Sequence, residues 1–241
     1  MTGLRVLPVE GLAEVTEGMK VGELIAERAE LEPGDIVVIS QKIVSKAEGQ
    51  VRRLAEVEPS ERALELGKKL GKEAKLVELI LSESREILRE DRVLITETHH
   101  GFVCANAGID SSNLPEDGTV CLLPADSNAS ARRIRAELQA AVVISDSFGR
   151  AWRLGQAEVA IGCAGLMPLD DWRGRPDSSG RELQATVIAI ADEVAAAADL
   201  VRTKTSNTPA AIVRGLGRYV KAEDGPGAAA LHRPPGEDLF R

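Results

Sequence analysis

The sequence predicts a mixed α/β chain of the α+β class. Three observations carry this expectation. Two short apolar runs, 36–40 (IVVIS) and 141–145 (AVVIS), read as buried strands. Between and after them lie segments whose apolar residues recur at helical spacing. The two kinds of segment mix without the strict strand–helix alternation of a doubly wound sheet, and no repeat stands out.

From the N-terminus, 4–9 (LRVLPV) reads as a short strand. Val21, Leu24, Ile25 and Ala29 give 20–30 a helical stripe. Pro33-Gly34-Asp35 then turns the chain into the 36–40 strand, which runs on into Gln41-Lys42-Ile43-Val44-Ser45-Lys46 until Gly49 ends the piece. Pro59-Ser60 opens a charged helix with Ser60 as its N-cap. A second helix is expected over about 73–89, with Leu76, Leu79, Ile80 and Ile87 facing inward. Three β-like segments follow at 93–98, 102–106 and 119–123. Asp126 or Ser127 caps a helix that carries Arg132, Arg133 and Arg135 and ends near Gln139. The 141–145 strand stops at Asp146, and 158–165 is apolar and glycine-rich. Residues 180–201 read as a long alanine-rich helix and 209–213 as a last strand. One domain is expected over 1–221, with a subregion boundary near residue 90. From Ala222 glycine, proline and charge dominate, so 222–241 is expected to be a loosely ordered tail.

Composition narrows the function. Only 2% of the 241 residues are aromatic, so the core is built from Val, Ile, Leu and Ala, and base-stacking platforms are disfavoured. A net charge of −8 argues against nucleic-acid backbone binding; an anionic ligand needs a local basic patch. Cys104, Cys121 and Cys163 form no CxxC pair and read as buried free thiols of a reducing, cytoplasmic setting. Met1-Thr2-Gly3-Leu4-Arg5 is not a basic segment followed by an apolar one, and no apolar run reaches membrane length, so secretion and membrane spanning are both disfavoured. With His99, His100 and His232 the only histidines, a three-histidine metal site would need the tail to fold back.

No GxxxxGK[ST], no GxGxxG after a strand, no GxSxG and no HExxH occurs. The chemistry-bearing segments are of other kinds. In Ile144-Ser145-Asp146-Ser147-Phe148-Gly149-Arg150-Ala151-Trp152-Arg153 a buried strand ends in an acid and a hydroxyl. These are hard oxygen donors suited to Mg²⁺ or Mn²⁺. Arg150 and Arg153 beside them suit phosphate or carboxylate, unless the segment is only a turn with solvated charges. Asn106-Ala107-Gly108-Ile109-Asp110-Ser111-Ser112-Asn113 offers a second acid and an amide, or else a plain Asx-rich turn. Asp110 and Asp146 together suit a two-metal clamp for phosphoryl chemistry. Lys42 and Lys46 follow a buried strand, where Lys46 can neutralise a phosphate; the alternative is an exposed basic strand. Asp177-Ser178-Ser179-Gly180-Arg181 reads as an anion-attracting helix start or as ordinary capping.

Leu12 after Val9-Glu10-Gly11, SQKIVSKAEG at 40–49, NAGIDSSN at 106–113, SDSFGRAWRLGQAEVAIG at 145–162 and DSSGREL at 177–183 stand together in a distinctive order. Over about residues 4–220 the chain resembles the coenzyme F-420-0:L-glutamate ligases, the γ-glutamyl ligases of deazaflavin cofactor synthesis. The resemblance is to the stand-alone archaeal form, without the nitroreductase-like domain fused to some bacterial members. It implies a family-specific ligase fold and a butterfly-shaped homodimer. It also implies use of GTP with Mg²⁺ or Mn²⁺, K⁺ as a further cation, and addition of L-glutamate to the lactyl carboxylate of F-420-0, followed by further γ-linked glutamates. Nucleotide contacts are implied at Leu12, Ala13, Glu14, Val15, Gln41, Lys46 and Asn113, and in the loop Thr203, Lys204, Thr205, Ser206, Asn207 and Thr208. Metal positions fall on Asp110, Asp146 and Ser147, with Asp110, Asp146 and Lys46 catalytic. Arg150, Arg153 and Arg181 are candidates for the acidic substrates. Arg202-Thr203-Lys204 departs from the family, where a small or apolar residue and Gly often precede the Lys, and Ala13 stands where Pro is frequent. Without the resemblance, the same residues also suit a metal-dependent nucleotide-binding module or a phosphotransferase acting on another acidic substrate.

Overall fold

The chain order of elements in this computed structural model, which describes residues 3–114, 116–203 and 205–238, begins with β1 (Arg5–Val9), α1 (Val21–Ala26), β2 (Ile36–Ser40), α2 (Gln41–Ala47) and β3 (Val51–Arg53). Then come α3 (Glu61–Leu70), α4 (Ala74–Ser82), β4 (Ser84–Glu90), β5 (Leu94–Thr98), β6 (Val103–Ala105) and β7 (Thr119–Cys121). The second half holds α5 (Ser127–Leu138), β8 (Ala141–Arg150), β9 (Arg153–Ala164), β10 (Asp170–Asp171), β11 (Val187–Ile188), α6 (Ile190–Asp199) and β12 (Ala210–Arg214). Helices and several separate sheets mix, so the class is α+β as the sequence predicts.

The largest sheet has the order β1-β12-β2-β8-β9, and only its central pair β2–β8 is parallel. Alternate side chains of these strands fill two cores. Val37, Ile39, Val142, Ile144 and Ile212 face α1 and α5, which contribute Ile25, Ala131 and Ile134. Ile36, Val38, Val143, Ala211 and Val213 face α6, which contributes Ile190, Val194 and Ala198. Two-sided burial explains why both runs are apolar without alternation. Each Val or Ile so buried contributes about 1.5–3 kcal/mol. The contact of α5 with β9 needs Gly162, because a Cβ there would stand 2.3 Å from the Ser127 carbonyl oxygen.

A smaller lobe packs Ala63, Leu66, Val77, Ile80, Leu94 and Ala107 from α3, α4, β5 and the turn after β6 into a third core. Beside it β4-β5-β6 form an antiparallel sheet. Ser60 caps α3 through the Ala63 amide, and Asp126 caps α5 through the Ala129 amide, as their sequence positions predict.

Several expectations are corrected. The helix expected over 73–89 ends at Ser82, and Ser84–Glu90 pairs antiparallel with Leu94–Thr98; non-local pairing overrides the helical spacing of Ile87. Residue 90 is the last of β4 in the small lobe, whose core draws on residues on both sides of it. Lys42 and Lys46 lie on a helix, not a strand. The 141–145 strand continues to Arg150, because β9 pairs with it throughout. The alanine-rich helix spans only Ile190–Asp199. Asp177 starts no helix: its carboxylate accepts from the Ser179 and Arg181 amides and closes a turn. Residues 222–232 of the supposed tail are docked. Ala228 is fully buried, its amide donates to the Asn128 side chain, and Arg135 pairs with Asp224 at 2.8 Å. Among the described residues no helix is long and apolar enough to cross a membrane.

The turn into β2 is tied to the end of β12 by a two-toothed ion pair. Arg214 Nε donates to Asp35 Oδ1 at 2.8 Å and Nη2 to Oδ2 at 2.7 Å, with Asp35 buried. Burial opposes ionisation of Asp35, but the Arg214 fork and the Glu32 amide outweigh it and hold the carboxyl below its ordinary value. A lowered folded value stabilises the fold at every pH above the unfolded carboxylate value of about 4, and the contribution is lost as pH falls through the folded value. Asp35→Asn is expected to cost about 3 kcal/mol at pH 7, because it leaves the guanidinium without its buried partner. Denaturant titrations should show that gap narrowing below about pH 4; a gap independent of pH would refute the assignment.

Candidate functional site

Because β2 and β8 are parallel, with Ser40 paired to Ser145, their carboxyl ends meet at one edge of the sheet. Ligands gather at such edges. A cleft of about 720 Å³ opens there. One wall is the first two turns of α2, which bring Gln41, Lys42 and Lys46 to the cleft. Lys42 and Lys46 lie four residues apart and so share a helix face. A second wall is the 104–113 segment, and the segments 12–15 and 199–209 complete the rim. The floor is the outer part of the β8–β9 ladder. A bulge between Ile144↔Gly162 and Ser145↔Ala160 resets the register and sets Ser147 opposite Glu158.

The charges alternate in sign. Lys42 Nζ contacts Asp110 Oδ2 at 2.7 Å and the Ser112 carbonyl oxygen at 2.6 Å. Burial pushes Asp110 up, but Lys42 and the Ser112 amide outweigh it and hold its carboxyl below the ordinary value. Lys46 Nζ donates to Glu14 Oε1 at 2.6 Å and to the Asn113 carbonyl oxygen at 3.2 Å. Asp146 is different. Burial pushes it up to about 7, Glu158 and Asp110 add to the rise, and the Ser147 amide and Lys42 offset it only in part. The negative potential beside Asp146 is thus incompletely compensated by the chain. With the Ser147 hydroxyl, the donors at this end are all hard oxygens. Such a set suits a hard divalent cation. Among the described residues no three His, Cys, Asp or Glu side chains form a ready-made metal cage. Burial and Asp146 push the Cys104 thiol up to about 12, so it is no nucleophile at neutral pH.

The backbone is strained on the same wall. Asn106, Ala107 and Gly108 have successive φ values of 52°, 54° and 72°. Non-glycine residues rarely adopt this region, and such strain collects at functional sites. The buried Asn106 Oδ1 has no hydrogen-bond partner among the described residues, and Asn106 borders the cleft.

Leu12, Ala13, Glu14, Val15, Gln41, Lys46, Asp110, Asn113, Asp146, Ser147, Thr203, Asn207 and Thr208 all border this one cleft. Thr205 and Ser206 are exposed and outside its lining, and Lys204 lies outside the described residues. Arg150, Arg153 and Arg181 are also outside the lining. The β8–β9 ladder carries Arg150 and Arg153 to its tip, where Arg150 Nη2 donates to the Leu154 carbonyl at 2.7 Å; Arg181 sits in the turn closed by Asp177. Sequence reading missed Glu158 and Arg202 as cleft residues and left Lys42 without a role. An acid inside the apolar run 157–164 was the available signal for Glu158.

The family model described as F420-0:Gamma-glutamyl ligase matches residues 11–215. The protein named coenzyme F420:L-glutamate ligase from Archaeoglobus fulgidus is 43% identical, over 88% of each chain. Those of the same name from Methanothermobacter thermautotrophicus and Methanopyrus kandleri are each 44% identical. The first match covers 99% of both chains, the second 99% of this chain and 98% of the relative.

The raised value of Asp146 has a sign that can be tested. Between about pH 4 and 7 the folded chain keeps a proton that the unfolded chain releases, so stability falls as pH rises through that window. Asp146→Asn removes the penalty. In chelator-treated protein its Tm should exceed that of the parent by about 2–4 °C at pH 8, the size of shift that about 1 kcal/mol produces in a domain of this length. The two should converge near pH 4; equal Tm at pH 8 would show that Asp146 ionises without cost.

Proposed function

The chain belongs to the F420-0:gamma-glutamyl ligase family, and on that footing we propose that it is an amide-forming ligase adding L-glutamate to coenzyme F420-0. The finer reading is a GTP-dependent reaction on the lactyl carboxylate of the acceptor, followed by further γ-linked additions. The observation that supports it best is the placement of Lys42 and Lys46 beside Asp110, Asp146 and Ser147 in one cleft of a chain with net charge −8. A cleft of about 720 Å³ accommodates reactants of nucleotide size.

The chemistry requires activation, because a carboxylate oxygen is too poor a leaving group for an amine to displace at neutral pH. Transfer of the γ-phosphoryl group of GTP to the acceptor carboxylate gives an acyl phosphate. The glutamate amine then attacks the acyl carbon, and phosphate leaves with the electron pair. In this reading Lys46 exchanges Glu14 for a phosphate oxygen, and Lys42 offsets charge beside Asp110. Asp110, Asp146 and Ser147 would hold Mg²⁺ or Mn²⁺, whose chemistry when bound is to neutralise charge on phosphoryl oxygens. We also propose a homodimer, which would cover the apolar hairpin tip where Trp152 and Leu154 are 81% and 97% exposed.

Purified protein with F420-0, L-glutamate, GTP and Mn²⁺ should yield products heavier by successive glutamyl units, with phosphate released in step. Phosphate transfer without glutamate incorporation would favour a phosphotransferase, and nucleotide binding without turnover a binding module. Lys46→Ala should weaken GTP binding by roughly 1.5–3 kcal/mol, the scale of a charge-assisted hydrogen bond; calorimetry showing unchanged affinity would remove Lys46 from the nucleotide site. Light scattering of the active enzyme should report about twice the single-chain mass of 25.7 kDa.

A further inference from the structure

Glu158 on β9 and Arg202 just after α6 form an ion pair at 3.1 Å between side chains only 8% and 6% exposed. Arg202 Nη2 also contacts Ser145 Oγ at 3.0 Å, and Glu158 Oε1 receives Ser147 Oγ at 2.5 Å. Arg202 Nε is buried with no hydrogen-bond partner among the described residues. Burying two charges is costly, and well-packed apolar residues often serve stability as well or better. Stability alone therefore does not account for the pair, and both residues border the cleft.

The donor direction is forced. An ionised carboxylate only accepts, so Ser147 must donate its proton to Glu158. Its oxygen then has no proton left for a phosphate oxygen and can only accept. Each Glu158 oxygen already holds one partner, Ser147 on Oε1 and Arg202 on Oε2, so the carboxylate is held between the two. Ser145 and Ser147 stand two residues apart on β8 and thus on one face, so the pair grips the strand on either side of Asp146.

We infer that Glu158 and Arg202 are positioning residues that present the Ser147 oxygen to a divalent cation. Glu158 takes the hydroxyl proton, and Arg202 fixes Glu158. This rests on the reading of Asp110, Asp146 and Ser147 as the cation site.

The test is direct binding of Mn²⁺ to the full chain, followed by electron paramagnetic resonance without nucleotide or substrate. Glu158→Gln should weaken Mn²⁺ binding about 10–100-fold, the range seen when supporting groups behind metal ligands are removed. If Glu158 acts through Ser147, Ser147→Ala should weaken binding to a similar degree. Adding Glu158→Gln to Ser147→Ala should then change it by no more than about 2-fold. A full further loss in that background would overturn the inference, because Glu158 would then act by its charge or by holding the fold. Where Arg202 left unpaired prevents folding, Glu158→Gln with Arg202→Met removes both charges, and the same loss is expected. Unchanged affinity in both variants overturns the inference as well. Asp146→Asn separates the two levels: if it too leaves Mn²⁺ binding intact, the cation-site reading fails; if it alone abolishes binding, only the role of Glu158 and Arg202 fails.

Discussion

The structure depends on burying one parallel strand pair, β2 and β8, on both faces. Helices α1 and α5 cover one side and α6 the other. Two strands so enclosed must end at the same edge, and there the backbone carries polar residues out of the apolar interior. Ser40 and Ser145 are the last paired positions, and Gln41, Asp146 and Ser147 follow directly. The cleft is thus a consequence of the sheet. Its floor and its α2 wall hang from strands that cannot shift without exposing a core.

Charge at the cleft follows from who faces whom. Asp110 has Lys42 at 2.7 Å and ionises readily, whereas Asp146 is deeply buried, also faces Glu158 and Asp110, and resists ionisation. Two aspartates of ordinary chemistry therefore differ by environment alone. The asymmetry costs stability and leaves a region that an added cation would relieve. The lysines work the other way: each already holds a carboxylate, so an incoming anion competes with a contact that is present.

Elements outside the large sheet support the cleft from one side. The small lobe has its own core, and its last strand, β6, leads into the strained turn at Asn106 and Ala107. That turn also brings Ala107 into the lobe's core, fully enough to leave it 2% exposed. Burial of the alanine holds the unfavourable backbone in place, and the same residues border the cleft. The docked tail segment adds Ala228 to the core that α6 covers, in the turn that packs on β9.

Much was legible in the sequence where the cause is local. Apolar runs announced β2 and the start of β8, Ser60 and Asp126 announced helix starts, and the polar segments at 40–49, 106–113 and 145–147 announced residues that meet in one cleft, whereas only the family resemblance pointed to 12–15. These signals depend on neighbours a few positions away. Tertiary structure decided the rest. Whether 84–90 is helix or strand depends on β5, and whether 146–150 is turn or strand depends on β9. Arg150, Arg153 and Arg181 looked close to the acids in the chain, but hairpins carry them out of the cleft lining. Glu158 and Arg202 stand 44 residues apart, and only the β9 bulge and the end of α6 bring them to one serine. A charge pair of that separation leaves no periodic trace in a sequence, because the field that each residue feels is set by the fold.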